Sequence, residues 1–154
     1  MTEDARTRDE LLVVVREAPA ASSPTVRALM QRNRRRDSRA EVQLRRALHA
    51  MGLRFRVDHP IRCGRGRPIR ADVVFTRARV AVFVDGCFWH GCPQHGRTPK
   101  SNTGYWEAKV ALNRDRDRRQ RAALTADGWK VLRIWEHEPA VEAAKLVSET
   151  VRRR

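Results

Sequence analysis

Acidic residues are scarce in this chain: 18 Asp and Glu stand against 33 Lys and Arg, leaving a formal net charge of +15 over 154 residues. A domain this small and this basic is expected to bind a polyanion, with nucleic acid ahead of a membrane surface or a merely solubilising coat. Long apolar runs are missing, since no stretch reaches 18 residues, and this excludes a transmembrane helix read from the sequence. Leu11–Val15 is too short and too acid-flanked for a signal segment, so the expected location is the cytoplasm, with no membrane partner. Only three cysteines occur, an odd number that excludes a paired disulfide framework and turns attention to metal ligation. Neither an internal repeat nor a low-complexity tract is visible apart from arginine-rich runs such as 32–36, 114–119 and 152–154.

What the chain does have is concentrated in twelve residues, V84-D-G-C-F-W-H-G-C-P-Q-H95, which follow the apolar run Val80–Val84. Cys87, His90, Cys92 and His95 fall within nine positions and supply enough sulfur and imidazole donors for most of a zinc site. Phe88 and Trp89 interrupt these donors with large planar side chains. A generic Phe-Trp pair packs a core, but Gly86 and the flanking ligand candidates place this one on a surface loop, where it could meet a base.

The length fits one domain, with residues 1–24 as a leader and 25–154 as the main domain. The leader carries one possible helix, Asp9–Glu17, before the breaker-rich A-P-A-A-S-S-P. Ser38-x-x-Glu41 reads as a capping box, and Leu44, Ala47, Leu48 and Met51 follow at helical spacing before Gly52. Leu53–Val57 alternates like a half-buried strand, while Ala71–Phe75 and Val80–Val84 are continuous apolar runs suited to central strands. A long polar helix is predicted from about Tyr105 to Asp127, then a strand over Trp129–Trp135 and a terminal helix to about Val151. The predicted order is α-β-β-β-α-β-α, an α/β fold.

Asp72 stands out inside A-D-V-V-F, because an ionised carboxylate in an apolar strand costs several kcal/mol unless a cation or hydrogen bonds compensate. A structural ion pair with an arginine would satisfy it; so would a metal. Asp85 ends the neighbouring run, and adjacent strands would bring the two carboxylates together as a hard Mg2+ ion requires. Trp106, Val110, Asn113 and Asp117 share one face of the long helix and could look into the same site. A solvated helix would carry Asn113 and Asp117 equally well, and the capping box accounts for Glu41.

The segments R70-A-D-V-V-F, V82-F-V-D-G-C-F-W-H-G-C-P, Y105-W-E-A-K, N113-R-D-R-D-R-R and G128-W-K-V-L-R-I-W-E resemble those of the very short patch repair endonucleases (Vsr). With M30-Q-R-N-R, E41-V-Q-L-R-R-A-L-H-A-M-G-L-R-F-R and P99-K-S-N, the resemblance covers about 110 of the 154 residues, from Ala28 to His137. It implies a restriction-endonuclease-like central mixed sheet flanked by helices, with a structural zinc site, making residues 25–154 a Vsr-like endonuclease domain. It also implies an enzyme that nicks double-stranded DNA 5′ to the T of a T:G mismatch, the lesion left when 5-methylcytosine deaminates. Such an enzyme would act as a monomer at the nucleoid, linked functionally to a cytosine-5 DNA methyltransferase.

Carried over by position, the resemblance implies two catalytic Mg2+ ions held through Asp72 and the Val84 carbonyl. It assigns catalytic roles to Asp85, His90 and Asp117, with Glu41 and Asn113 as further candidates, and a base-pair wedge to Phe88, Trp89 and Trp106. One structural Zn2+ would take Cys87, Cys92, His95 and His137, although the short H-G-C segment leaves His90 and His95 interchangeable in principle. Three positions depart from the family pattern. Asp85 stands for a histidine, which leaves the general base open; His137 stands for a cysteine; Ala71 stands where proline usually precedes the catalytic acid. A zinc-stabilised DNA-binding module without catalysis, or a restriction-like nuclease with another target, are the alternative readings.

Overall fold

In the computed structural model, residues 7–21, 23–32, 37–97 and 99–154 are described; residues 33–36 and the side chains of 30–32, which carry the basic run and the M30-Q-R-N-R segment, lie outside them. The elements are α1 (Arg8–Val14), α2 (Pro24–Arg32), α3 (Arg39–Ala50), β1 (Arg56–Ile61), β2 (Ile69–Phe75), β3 (Val80–Asp85), α4 (Thr103–Ala126), β4 (Lys130–Trp135) and α5 (Ala140–Arg152). They fall into two units: residues 1–33 with 87–117, here the loop unit, and residues 34–86 with 118–154, the sheet unit. Among the described residues, no helix is long and apolar enough to cross a membrane.

Alternation along the strands builds the sheet unit. The strand order is β1-β2-β3-β4, antiparallel across the first two pairs and parallel between β3 and β4. Val73, Phe75, Val80, Val82 and Ile134 point to one face, where Leu44 and Leu48 of α3 and Ala143, Ala144 and Val147 of α5 cover them. Val74, Ala81, Phe83 and Val131 point to the other and pack with Leu124, near the end of α4. Each large side chain removed from water this way contributes roughly 1.5–3 kcal/mol. Both faces of β3 are therefore apolar, which is why it reads as a continuous run rather than an alternating one. Gly128, at φ +82°, makes the left-handed turn from α4 into β4.

Three expectations need correction. The strand expected at Leu53–Val57 is displaced to Arg56–Ile61, because Leu53 and Phe55 pack on the core from a segment that is not strand. β1 contains Pro60 and a left-handed Asp58 (φ 48°), both tolerated because β1 is an edge strand. At α3 the Ser38 hydroxyl accepts from the Glu41 amide at 3.3 Å as expected, but the Glu41 carboxylate accepts from the amide of Asp37 at 2.9 Å, one residue before the position a full box would use. In the loop unit, the helix expected over Asp9–Glu17 is Arg8–Val14, opened by a Thr7–Glu10 capping box, and α2 was not expected at all. The Ser23-Pro24 pair that reads as a breaker instead starts α2: Ser23 Oγ accepts from Val26 N at 3.2 Å, and proline occupies the first helical position.

Candidate active site

The sheet unit gathers three acids where the β2–β3 ladder ends. Pairing stops at Val73↔Val82, although β2 starts four residues earlier and β3 continues to Asp85. Beyond that point the Val84 amide donates to Asp72 Oδ2 at 2.7 Å, a side chain standing in for the missing strand partner. A residue's N–H and C=O leave a strand on the same side, so the Val84 carbonyl faces the same gap. Burial pushes the Asp72 carboxyl up from 3.8 to about 6; the Val84 hydrogen bond opposes this, the neighbouring carboxylates of Glu41 and Asp85 add to it, and the Arg133 guanidinium offsets part of it. An acid held this way, desolvated among acids, suits a site that receives a cation.

Asp85 has a partner that sequence reasoning missed. Arg133 on β4 donates from Nε to Oδ2 at 2.6 Å and from Nη2 to Oδ1 at 2.5 Å, a bidentate pair in which the side chains are only 8% (Asp85) and 16% (Arg133) exposed. The same guanidinium lies over the Phe83 ring, 4.9 Å from its centroid. Asp85 lies near enough to Asp72 to raise its pKa, in keeping with the expected pair of carboxylates, and both of its oxygens are also engaged by Arg133. Glu41, whose carboxylate accepts from the Asp37 amide at the start of α3, is also buried and adds to the upward push on Asp72.

In the loop unit, Phe88, Trp89 and Trp106 form one ring cluster with centroids 5.0–5.8 Å apart and tilted contacts. The surface position expected for the first two holds only partly, since they are half-buried, and Trp106 is buried. A cavity of about 340 Å3 opens beside Phe88 and Trp106.

His90 Nδ1 lies 2.5 Å from Asp117 Oδ2, so the helix acid orients the imidazole. Asn113 Nδ2 donates to the Trp89 carbonyl at 2.8 Å, and Arg114 donates to the carbonyls of His90 (Nε, 3.2 Å) and Gly91 (Nη2, 2.5 Å). Asn113 thus acts on the backbone of the loop. Cys87, Cys92 and His95 bring their donor atoms within 4.8 Å of one another, both cysteines being buried; this tests well against the thiolate and imidazole donors that zinc prefers. His137, the fourth expected donor, belongs to the sheet unit, where it stacks on Trp135 at 13°.

Comparison with known proteins bears on what these groups do. The family model for DNA mismatch endonuclease Vsr matches residues 22–95. The chain is 48% identical over 122 residues to the type II nicking enzyme V.NaeI of Lentzea aerocolonigenes, covering 79% of this chain and 74% of that protein. The chain belongs to the Vsr family. It is also 43% identical to the type II nicking enzyme V.XorIIP of Xanthomonas oryzae pv. oryzae (73% of this chain, 79% of the relative) and 35% identical to the DNA mismatch endonuclease Vsr of Escherichia coli strain K12 (76% and 70%). As a Vsr family member it is a DNA endonuclease, which sets aside the reading as a binding module without catalysis.

Proposed function

We propose that this Vsr-family chain nicks one strand of double-stranded DNA 5′ to the T of a T:G mismatch, in a Mg2+-dependent hydrolysis. The observation that carries the chemistry is Asp72, a desolvated carboxylate at the open end of the β2–β3 ladder with Glu41 and Asp85 beside it. Asp72 and the Val84 carbonyl would hold Mg2+, which when bound supplies Lewis-acid stabilisation of the charge that develops on the phosphate. Asp117 fixes the ring of His90 through Nδ1, and His90 would exchange a proton with the reacting phosphodiester. The bidentate Arg133 pair holds Asp85 in place, so Asp85 would act by orienting its surroundings.

Phosphates look alike, so the choice of a mismatch falls to Phe88 and Trp89, with Trp106 behind them. Each ring contact in the cluster is worth about 0.5–1.5 kcal/mol, and stacking a base on an aromatic ring returns about 1–3 kcal/mol. Moving the rings from one another into DNA is therefore nearly balanced, and the lower cost of unstacking a T:G step tips it. Two relatives are named as type II nicking enzymes, which favours a second reading in which the bases flanking the target are also selected.

The test is incubation of the protein and Mg2+ with end-labelled duplexes carrying T:G in varied contexts beside fully paired controls. Phe88→Ala and Trp89→Ala are expected to reduce T:G preference about tenfold or more, while keeping the steep salt dependence, about −0.9 in log-log slope per phosphate contact, that basic side chains confer. Parental nicking of paired and mismatched DNA at equal rates would refute the function. Unchanged discrimination by both variants would refute the wedge alone.

Zinc is proposed to bind through Cys87, Cys92, His95 and His137 as a closed structural site. Elemental analysis of the fresh protein is expected to find one zinc per chain, lost together with much of the thermal stability in Cys92→Ser and retained in Cys63→Ser. Zinc retained in His95→Ala and lost in His90→Ala would exchange those two assignments. The proposed setting is a monomer on DNA in the cytoplasm, at the nucleoid, acting on lesions left by a cytosine-5 DNA methyltransferase.

A further inference from the structure

Three consecutive loop carbonyls, those of Trp89, His90 and Gly91, all accept hydrogen bonds from two adjacent side chains of α4, Asn113 and Arg114. Arg114 makes two of these contacts, spreading Nε and Nη2 over neighbouring carbonyls in the fixed planar geometry of a guanidinium, which a single ammonium nitrogen lacks. The backbone is shaped to receive it: Gly91 adopts φ +62°, and a Cβ there would lie 2.6 Å from Arg114 Nη2 and 2.9 Å from Val110 Cγ1. One helical turn on, Asp117 holds the His90 ring. The residues on either side of the Trp89–His90 peptide, one an aromatic and one an imidazole, are thus fastened to a single rigid helix by backbone and side chain together.

We infer that Arg114 is a positioning residue that couples the aromatic wedge to His90, so that the placement of Trp89 in DNA and the alignment of the imidazole are one event. The inference rests on the mismatch-nicking reading for what the coupling achieves: a duplex that does not admit the rings would leave His90 misaligned, and discrimination would enter the chemical step as well as binding. The competing account is that Arg114, exposed on a very basic protein, neutralises a DNA phosphate.

Arg114→Lys separates the two, because it keeps the charge and the long stem and loses the fork. Single-turnover nicking at saturating protein is expected to fall about tenfold to a hundredfold in Arg114→Lys, and at least as far in Arg114→Met, the scale of loss that misplacing a reacting group by about 1 Å produces. DNA affinity and its salt slope should stay at parental values in Arg114→Lys, and zinc content and melting temperature should be near parental in both variants. A parental single-turnover rate in Arg114→Lys overturns the inference. So does a salt slope in Arg114→Met reduced by about one contact at a parental nicking rate, which would make Arg114 a phosphate ligand. The mismatch reading is judged separately, on the unsubstituted protein with T:G and paired duplexes. If that protein prefers another duplex, the Arg114 variants are measured on the duplex it does nick, and the coupling stands or falls there.

Discussion

Asp72→Asn will stop strand nicking and, at the same time, make the metal-free protein harder to unfold at pH 8. The first effect follows from the loss of the anionic oxygen that would hold Mg2+, and a drop of about 10³-fold or more corresponds to the several kcal/mol of charge stabilisation at stake. The second follows from burial. A carboxyl raised from 3.8 to about 6 binds its proton more tightly in the folded chain than in the unfolded one. Its favourable contribution is complete below about pH 4 and is lost as pH rises through about 6. Above that, the ionised acid costs the folded state up to about 3 kcal/mol, from about two pK units at 1.36 kcal/mol each. Asparagine removes this cost and can still accept from the Val84 amide, so the variant should gain stability at pH 8 and differ little near pH 4. Mg2+ should raise the melting temperature of the parent and not of the variant. Parental nicking by a well-folded Asp72→Asn would remove Asp72 from the reaction, and a variant no more stable at pH 8 than its parent would contradict the burial argument.

The Asp85–Arg133 pair should show an equally large effect on stability alone. Deleting one partner leaves the other charge buried without its bidentate mate, at a cost of about 3–5 kcal/mol. For a chain of this size that is roughly 6–20 °C in melting temperature for Asp85→Ala or Arg133→Met. Replacing both, as Asp85→Leu with Arg133→Met, should recover most of the loss, since packed apolar side chains substitute well for a buried ion pair. Thermal melts of the parent, the two single variants and the double variant settle it: losses below about 1 kcal/mol in the single variants, or losses that simply add, would mean the pair is not a coupled unit.

Much of this architecture was legible because apolar patterning survives in single strands and helices. β2, β3 and β4, together with α4 and α5, lie within a few residues of where the apolar runs and Gly128 place them. β1 was misplaced because Leu53 and Phe55 face the core from irregular chain, imitating strand alternation, while the true strand carries Pro60 and a left-handed Asp58. Asp72 and His90 stand out in the sequence because an acid in an apolar strand, or a histidine among cysteines, is locally unusual, whereas Asp117, one acid in an arginine-rich helix, is singled out by the family resemblance. Arg133 and Arg114 do not stand out, being two basic residues among 33, and what distinguishes each is a contact with a partner 48 or about 23 positions away. A faint signal existed for Arg133, a lone cation between the apolar pairs of V-L-R-I-W, inviting a search for a buried acid.

Gly91 also constrains how this loop could have changed through time. Any larger residue there must displace the Arg114 guanidinium and press on Val110, besides adopting a left-handed backbone that side chains disfavour. The harm from such a change therefore depends on what occupies position 114. With arginine present, a substitution at 91 breaks two hydrogen bonds; with a short apolar residue already in place, the same substitution meets mainly backbone strain. Changes at 91 and 114 are therefore not independent, and a change at 91 costs least where arginine is already absent from 114.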